Sequence, residues 1–421
     1  MALAGGEKTT LLHPISPLEV SEALKGVSWS SASGPDNIRP KDLVAIGPDA
    51  LSVTFTSWLE AGVTPKWTKR CRTVLIPKGS NPKTEVGDWR PITIGSHVSR
   101  LYAKILAHRL GSSVEINPLQ KAFREVAGCA ENIVLLHSAI RHAWSGNHSC
   151  YIVFLDLSKA FDTVGHDLIW RALRRHKCPE QFVKAVQDLY RDTTTRVSSG
   201  ADETGDISIL RGVKQGCPLS PCLFNMVMDE LVDQLDPKLG FELPNGNRMS
   251  IMAFADDLVL MSSSLLGIET LFDRTVLFME ERGLSINPVK SKTLGLKRVG
   301  SRKQLRVLTE PFLSLGKYHL PILGPTEYVK YLGVNFGVHG LGKVARSEFS
   351  LGLESVVKAP LKPRQKVTLL REYFWPRWKY RLNLGRTTLN LLTAMNRSIA
   401  GLYDPSCMLP QICRWSGYTS Q

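Results

Sequence analysis

The residues best suited to chemistry in this chain are a pair of adjacent carboxylates at a turn and a third at the end of an apolar run. Residues 251–261 read as two short apolar strands joined through Ala255, Asp256 and Asp257. Taken alone, an Asp pair in a turn is ordinary turn chemistry, because a short carboxylate side chain hydrogen-bonds its own backbone. A second signal lies upstream, where Tyr151, Ile152, Val153, Phe154 and Leu155 form an apolar run that ends in Asp156. Burial disfavours an ionised carboxylate unless a cation or hydrogen bonds compensate, so Asp156 requires a partner. A helix N-cap or an ion pair with Lys159 would serve as well as a metal. If the run lies beside the hairpin, three carboxylates converge. That suits Mg2+, which favours oxygen ligands and shares a few carboxylates with substrate phosphates. The corresponding chemistry is phosphoryl transfer assisted by two divalent ions, Mg2+ or Mn2+ as a substitute.

The elements that must position these groups follow from periodicity. Strands are expected over 73–76, 151–155, 251–254, 258–261 and 331–336, where apolar runs are bounded by turn residues. Helical spacing appears in Ile133, Leu136, Ile140 and Trp144, in Phe182, Val183, Val186 and Leu189, and in Leu223, Val227, Leu231 and Leu235. The expected class is α+β, with helices on one face of a mainly antiparallel sheet. Pro, Gly and Ser clusters punctuate residues 33–40, 79–82, 240–246 and 337–342, and the last is the best boundary. Beyond Glu348 the chain turns basic and helical, with Pro360 and Pro363 breaking it before helices over 365–373 and 388–400.

Composition narrows the partners. A 421-residue chain corresponds to about three domains or one large enzyme built of lobes. Its 43% hydrophobic and 22% charged residues are ordinary for a folded protein. The 53 Lys and Arg exceed the 38 Asp and Glu, giving a charge of +15 that points to nucleic acid ahead of an anionic membrane. No apolar stretch is long enough to span a membrane, and no secretory leader is apparent, so no membrane partner is expected. The eight cysteines form no CxxC pair and are read as reduced thiols, which fits a nuclear or cytosolic enzyme.

A series of strings in fixed order carries a family resemblance. They are SGPD at 33–36, WRPI at 89–92, RLYAKILAHRL at 100–110, GCAENI at 128–133, FLDLSKAFDTV at 154–164, GVKQGCPLSPCLFN at 212–225, FADD at 254–257, NPVK at 287–290 and YLGV at 331–334. Together they resemble the reverse transcriptases of non-LTR retrotransposons, most of all the site-specific clade that inserts into ribosomal RNA genes. The resemblance implies a right-hand polymerase fold: fingers over 1–125, palm with the remaining finger elements over 126–345, and a helical thumb and C-terminal tail over 346–421. It implies a template RNA, a primer DNA strand, an RNA–DNA duplex and deoxynucleoside triphosphates as partners, a nuclear location with cytoplasmic assembly, and Asp156, Asp256 and Asp257 as ligands of two Mg2+ ions. The oligomeric state is not legible.

The same resemblance assigns further residues. Phe161 occupies the place of the aromatic that packs under the incoming sugar and excludes a 2′ hydroxyl, although an isolated Phe is ordinarily core. Leu157 and Gln215 fall in the nucleotide pocket, and Gly216 permits close backbone approach. Lys78 and Arg90 match the basic pair that holds the triphosphate, where surface charge is the plainer reading. Lys290 matches a general acid toward pyrophosphate, with Lys292 as its rival. Residues 331–334 match a primer grip. Lys358, Lys362, Arg364, Lys366, Arg371, Arg377 and Lys379, interleaved with Tyr373, Trp375, Trp378 and Tyr380, fit a duplex-gripping groove, where an amphipathic helix with snorkelling basic residues is the plainer reading. Cys217 stands where many relatives carry Asp, and Asn37 where many carry Gly. The upstream DNA-binding fingers and downstream zinc knuckle and nuclease of the family are not in this sequence, which reads as a core or a truncated copy. The rival readings are a viral RNA-directed RNA polymerase, a group II intron maturase-like protein and a catalytically silent RNA-binding remnant.

Overall fold

The computed structural model describes residues 9–400 except 79–84, 86–87, 200–201 and 301–303. The turn cluster expected at 79–82, the C-terminal tail beyond 400, Cys407 and Cys413 therefore lie outside the described residues. Two sheets organise the chain. The N-terminal sheet pairs β1 (Arg70–Pro77) antiparallel with β2 (Trp89–Gly95), while β1 also runs parallel to Thr194–Ser199. The central sheet has five strands, all antiparallel. Its middle strand is β3 (Cys150–Leu155), and outward on one side follow β5 (Asp257–Ser262) and then β4 (Ile251–Phe254). On the other side follow β6 (Lys292–Val299) and β7 (Gln304–Val307).

The apolar run of β3 has no polar positions because both of its faces are covered. All six residues are buried, and they divide by the two-residue period of a strand. Tyr151, Val153 and Leu155 enter one core with Leu223, Val227 and Leu231 of helix Ser220–Gln234 and with Ile268, Leu271 and Phe272 of helix Leu265–Glu281. Cys150, Ile152 and Phe154 enter a second core with Ile133, Leu136 and Ile140 of helix Gly128–Gly146. Each large side chain contributes about 1.5–3 kcal/mol on full burial, so a one-residue register slip, which exchanges the two sets, is strongly disfavoured. The expectation of helices on one face is corrected accordingly: helices lie on both.

Local signals set the helix ends. Helix Gly128–Gly146 starts at a glycine because a Cβ there would lie 2.5 Å from the Lys121 carbonyl oxygen, and it ends at Asn147, left-handed at φ 52. Helix Leu265–Glu281 is capped by Ser264, whose Oγ accepts the Gly267 N–H at 3.0 Å. The expected strand over 331–336 is broken by Leu332 (φ 45) and Gly333 (φ 81) into the hairpin β8 (Val329–Tyr331) and β9 (Val334–Gly337).

The C-terminal region is helical. Helix Arg346–Lys358 precedes Pro363–Leu369, which passes through a π-helical turn at Leu370–Phe374 into Trp375–Leu384 and is followed by Leu389–Ala400. The helix expected over 365–373 is thus the first part of a longer rod. Phe349, Leu353, Trp378 and Met395 form its small core, so Trp378 packs inward and not into a groove. Tyr373, Trp375, Arg371 and Arg377 are exposed. Tyr380 ties this region to the β8–β9 hairpin by donating its hydroxyl to the Leu332 carbonyl at 2.7 Å. Among the described residues no helix is long and apolar enough to cross a membrane, and six cysteines are free.

Candidate active site

Asp156 is the first residue past β3, and the loop 285–291 fixes its backbone from both directions. Its N–H donates to Ser291 Oγ at 3.2 Å, and its carbonyl accepts the Asn287 N–H at 2.8 Å. Ser291 Oγ in turn donates to the Asn287 carbonyl at 2.7 Å, and the Ser158 N–H donates to the Ser285 carbonyl at 2.7 Å. Asp156 therefore meets neither sequence alternative among the described residues: it caps no helix and pairs with no cation.

Asp256 and Asp257 lie on the turn from β4 to β5, with Asp257 opposite Phe254 and Leu258 opposite Leu155 of β3. The pairing brings the hairpin turn beside the end of β3. Ala255 at the turn has φ 55, a left-handed conformation that costs a side-chain-bearing residue about 1–2 kcal/mol. Its N–H is held by the buried Gln120, whose Oε1 accepts it at 2.9 Å.

The three carboxylates are crowded, and no Lys, Arg or His side chain pairs with them among the described residues. Burial raises the Asp256 carboxyl, a hydrogen bond from its own backbone N–H offsets part of the rise, and the Asp156 charge adds to it. Asp257 is pushed up to about 6, first by burial and then by the charges of Asp256 and Asp156. Its exposed edge coexists with that shift because protein surrounds the rest of the group. Among the described residues no three His, Cys, Asp or Glu side chains are drawn tightly enough together to cage an ion unaided. The oxygen-only, mutually repelling, unpaired set nevertheless fits a hard cation that completes its shell with water or phosphate.

A second assembly lies beside the first. Phe161, on the short helix Ala160–Thr163, is half-buried and stacks on Phe224 at 4.4 Å and 18°. Its carbonyl accepts the Val213 N–H at 2.7 Å, which brings the loop 212–217 against this helix. Gly212 (φ 81) admits that approach, since a Cβ there would fall 2.7 Å from the Asp162 carbonyl oxygen. Gln215 donates Nε2–H to Asp162 Oδ1 at 2.6 Å, and its carbonyl accepts the Thr93 N–H of β2 at 3.1 Å. The loop thus joins β2 of the N-terminal sheet to the short helix that follows β3.

The remaining assigned residues fall in different settings. Lys78 and Arg90 share the outer end of the N-terminal sheet, where Ile76 pairs with Arg90 and the Lys78 N–H donates to the Asp88 carbonyl at 2.7 Å; both side chains are exposed. Leu157 buries its side chain in the first core, so only its backbone is suited to serve a ligand. Lys290 is exposed, its N–H held by Asn287 Oδ1 at 3.2 Å, while Lys292 begins β6 opposite Phe154. A cleft of about 370 Å3 lies between residues 121–130 and helix Trp375–Leu384, with Lys121, Phe123, Arg124, Cys129, Phe254 and Tyr380 in its lining. Gln120 and Ser291 were not singled out by any sequence signal. A lone Gln or Ser in a polar stretch has no periodicity to give it away.

With this geometry in view, comparison with known proteins places the chain. Residues 76–336 match the family described as reverse transcriptase (RNA-dependent DNA polymerase). The chain is 37% identical over 376 residues to the Retrovirus-related Pol polyprotein from type-2 retrotransposable element R2DM of Drosophila melanogaster, covering 89% of this chain and 35% of that protein. It is 35% identical to the Pol polyprotein from type-1 retrotransposable element R2 of Nasonia vitripennis (91% and 37% covered). It is 36% identical to that of Popillia japonica (92% and 54% covered). The chain thus spans between about a third and about a half of the length of these relatives. The matched span contains both carboxylate elements, the loop 212–217 and the β8–β9 turn, and the chain belongs to the reverse transcriptase (RNA-dependent DNA polymerase) family, with R2 retrotransposable elements among its relatives.

Proposed function

We propose that this chain is the polymerase core of a non-LTR retrotransposon protein, extending a DNA primer on an RNA template with deoxynucleoside triphosphates. The observation that carries the reading is the convergence of Asp156, Asp256 and Asp257 at the junction of β3 with the β4–β5 turn, unpaired and mutually repelling. These three residues would hold Mg2+ or Mn2+, which when bound supplies Lewis-acid activation of the primer 3′ hydroxyl and neutralises the triphosphate.

The chain's own residues supply the rest. The Phe161 ring, backed by Phe224, would floor the sugar pocket and exclude a 2′ hydroxyl by contact, selecting deoxynucleotides. Gln215 and the Gly216 backbone would carry the nascent base pair, with the Leu157 backbone beside it. Lys78 and Arg90 would receive the triphosphate, Arg90 through paired N–H donors and Lys78 as a point charge. Lys290 would hold the proton delivered to pyrophosphate. The β8–β9 turn would seat the primer end, and the exposed basic and aromatic residues of the C-terminal rod would hold the duplex through phosphates and shape. In this reading residues 1–125 are fingers, 126–345 palm with remaining finger elements, and 346–421 thumb and tail. The work is nuclear, following cytoplasmic assembly with the template.

Primer extension tests the proposal on a DNA-primed RNA template with Mg2+, comparing deoxynucleotides with ribonucleotides and the parent with Asp256→Asn and Asp257→Asn. Extension with deoxynucleotides alone, lost in both variants, is the expected result. Tight RNA binding without extension under any divalent ion would favour the silent remnant.

A further inference from the structure

The carboxylate turn is held from behind by a segment that none of the recognised strings includes. Residues 119–122 run alongside β4 as a short parallel bridge, Gln120 opposite Ala253. The Lys121 N–H donates to the Ala253 carbonyl at 3.0 Å and the Ala253 N–H to the Leu119 carbonyl at 3.1 Å. Gln120 is fully buried within this bridge. Its Oε1 accepts two backbone N–H groups, from Ala255 at 2.9 Å and from Ala122 at 3.2 Å. Because both neighbours are donors, only the amide oxygen can occupy that position. The amide nitrogen is left buried, with no acceptor among the described residues. A side chain chosen for packing alone would not bury an unpartnered donor. Its acceptor is what the turn uses: Ala255, at φ 55, is the residue that aims the two carboxylates that follow it.

We propose that Gln120 is a positioning residue for the metal-binding turn, acting through the Ala255 N–H to hold Asp256 and Asp257 toward Asp156. The inference rests on the reading of these carboxylates as the polymerase site. Asn225 offers the matched comparison. It is buried and donates Nδ2–H to the Ala122 carbonyl at 2.7 Å, bracing the same segment without touching the turn.

The test compares Gln120→Met, Gln120→Asn, Gln120→Glu and Asn225→Leu in the full chain. It measures deoxynucleotide incorporation, melting temperature and, without any substrate, Mn2+ binding by the paramagnetic signal of the free ion. Gln120→Met removes the acceptor at near-constant volume and Gln120→Asn withdraws it by one methylene. Each is expected to lower kcat roughly 10- to 100-fold, the cost of an ångström of misplacement, with KM for the nucleotide within about twofold. Mn2+ binding should weaken roughly tenfold, as for other groups that orient metal ligands. Gln120→Glu keeps an acceptor oxygen and should recover kcat to within about fivefold of the parent. Asn225→Leu should lower the melting temperature at least as far while losing less than about threefold in kcat.

The proposal is overturned if Gln120→Met and Gln120→Asn lose no more kcat than Asn225→Leu at equal melting temperature, or if Mn2+ binding is unchanged in both. Should Gln120→Met not fold, Gln120→Asn carries the same comparison. A parent that binds Mn2+ through the turn but incorporates no nucleotide would defeat the polymerase reading. The Mn2+ comparison would still decide the role of Gln120.

Discussion

In the central sheet, Asp156 ends a strand buried on both faces and its backbone is tied at its amide and its carbonyl, whereas Lys78 and Arg90 stand exposed at the outer end of the N-terminal sheet. The carboxylates are positioned by the fold itself, and the charges of Asp256 and Asp156 raise the affinity of Asp257 for a proton; in the proposed reading a cation would relieve that repulsion. In the same reading, Lys78 and Arg90 reach their working positions only when a triphosphate is bound, since their side chains lie on the exposed surface. A preorganised group acts on the rate, and a group ordered by its ligand acts on affinity.

Substitution at the turn should break this contrast most severely. Asp256→Asn and Asp257→Asn are expected to lower kcat by roughly 10³-fold or more, since each removes a charge that would hold the metal ions and stabilise the transferring phosphoryl group. Their melting temperatures should stay level or rise, because a repelling charge is lost; a parallel loss of stability would show that the turn had unfolded. Phe161→Ala comes next. It should relax discrimination between deoxy- and ribonucleotides by about 10- to 100-fold in the ratio of kcat/KM, and lower the melting temperature through loss of the Phe224 stack. Lys78→Ala and Arg90→Ala should raise the nucleotide KM by about tenfold each, the equivalent of one charge-assisted hydrogen bond, with the melting temperature of Arg90→Ala unchanged. A large fall in kcat from either would place those side chains among the preorganised groups.

The contrast also explains what the sequence disclosed. The strands that bring Asp156, Asp256 and Asp257 together were legible as apolar runs, but the turn pair and the strand-end carboxylate were each ambiguous alone, and it was the ordered strings of the family resemblance that singled them out. The strands Thr194–Ser199 and Lys292–Val299 were not legible, since one is polar along its length and the other carries Gly295, where a Cβ would lie 2.7 Å from Leu308 Cδ1. Helix placement on both faces was implicit in the six buried residues of β3, but a run buried on two sides does not reveal what covers the second. Gln120 was invisible because its role depends on a contact with Ala255, 135 positions away. The rival lysines 290 and 292 now differ in setting, exposed loop against strand start, and spacing alone could not have separated them.

The smallest effect concerns protons. The Asp257 carboxyl is raised from 3.8 to about 6, so the folded protein binds its proton more tightly than the unfolded chain does. Below the ordinary value both states are protonated and the group is neutral toward stability. As the pH rises from about 4 toward 6 the unfolded chain ionises first, and the fold loses stability across that window. Without divalent ions, this group should therefore make the melting temperature fall by a few degrees over the interval, a slope absent in Asp257→Asn. Adding Mg2+ should flatten the slope in the parent alone, because a cation that binds the ionised carboxylates replaces the proton as the partner of the turn. An equal slope in parent and variant would assign the titration to other groups. It would also remove the electrostatic half of the contrast between the two sheets, leaving only the geometric half.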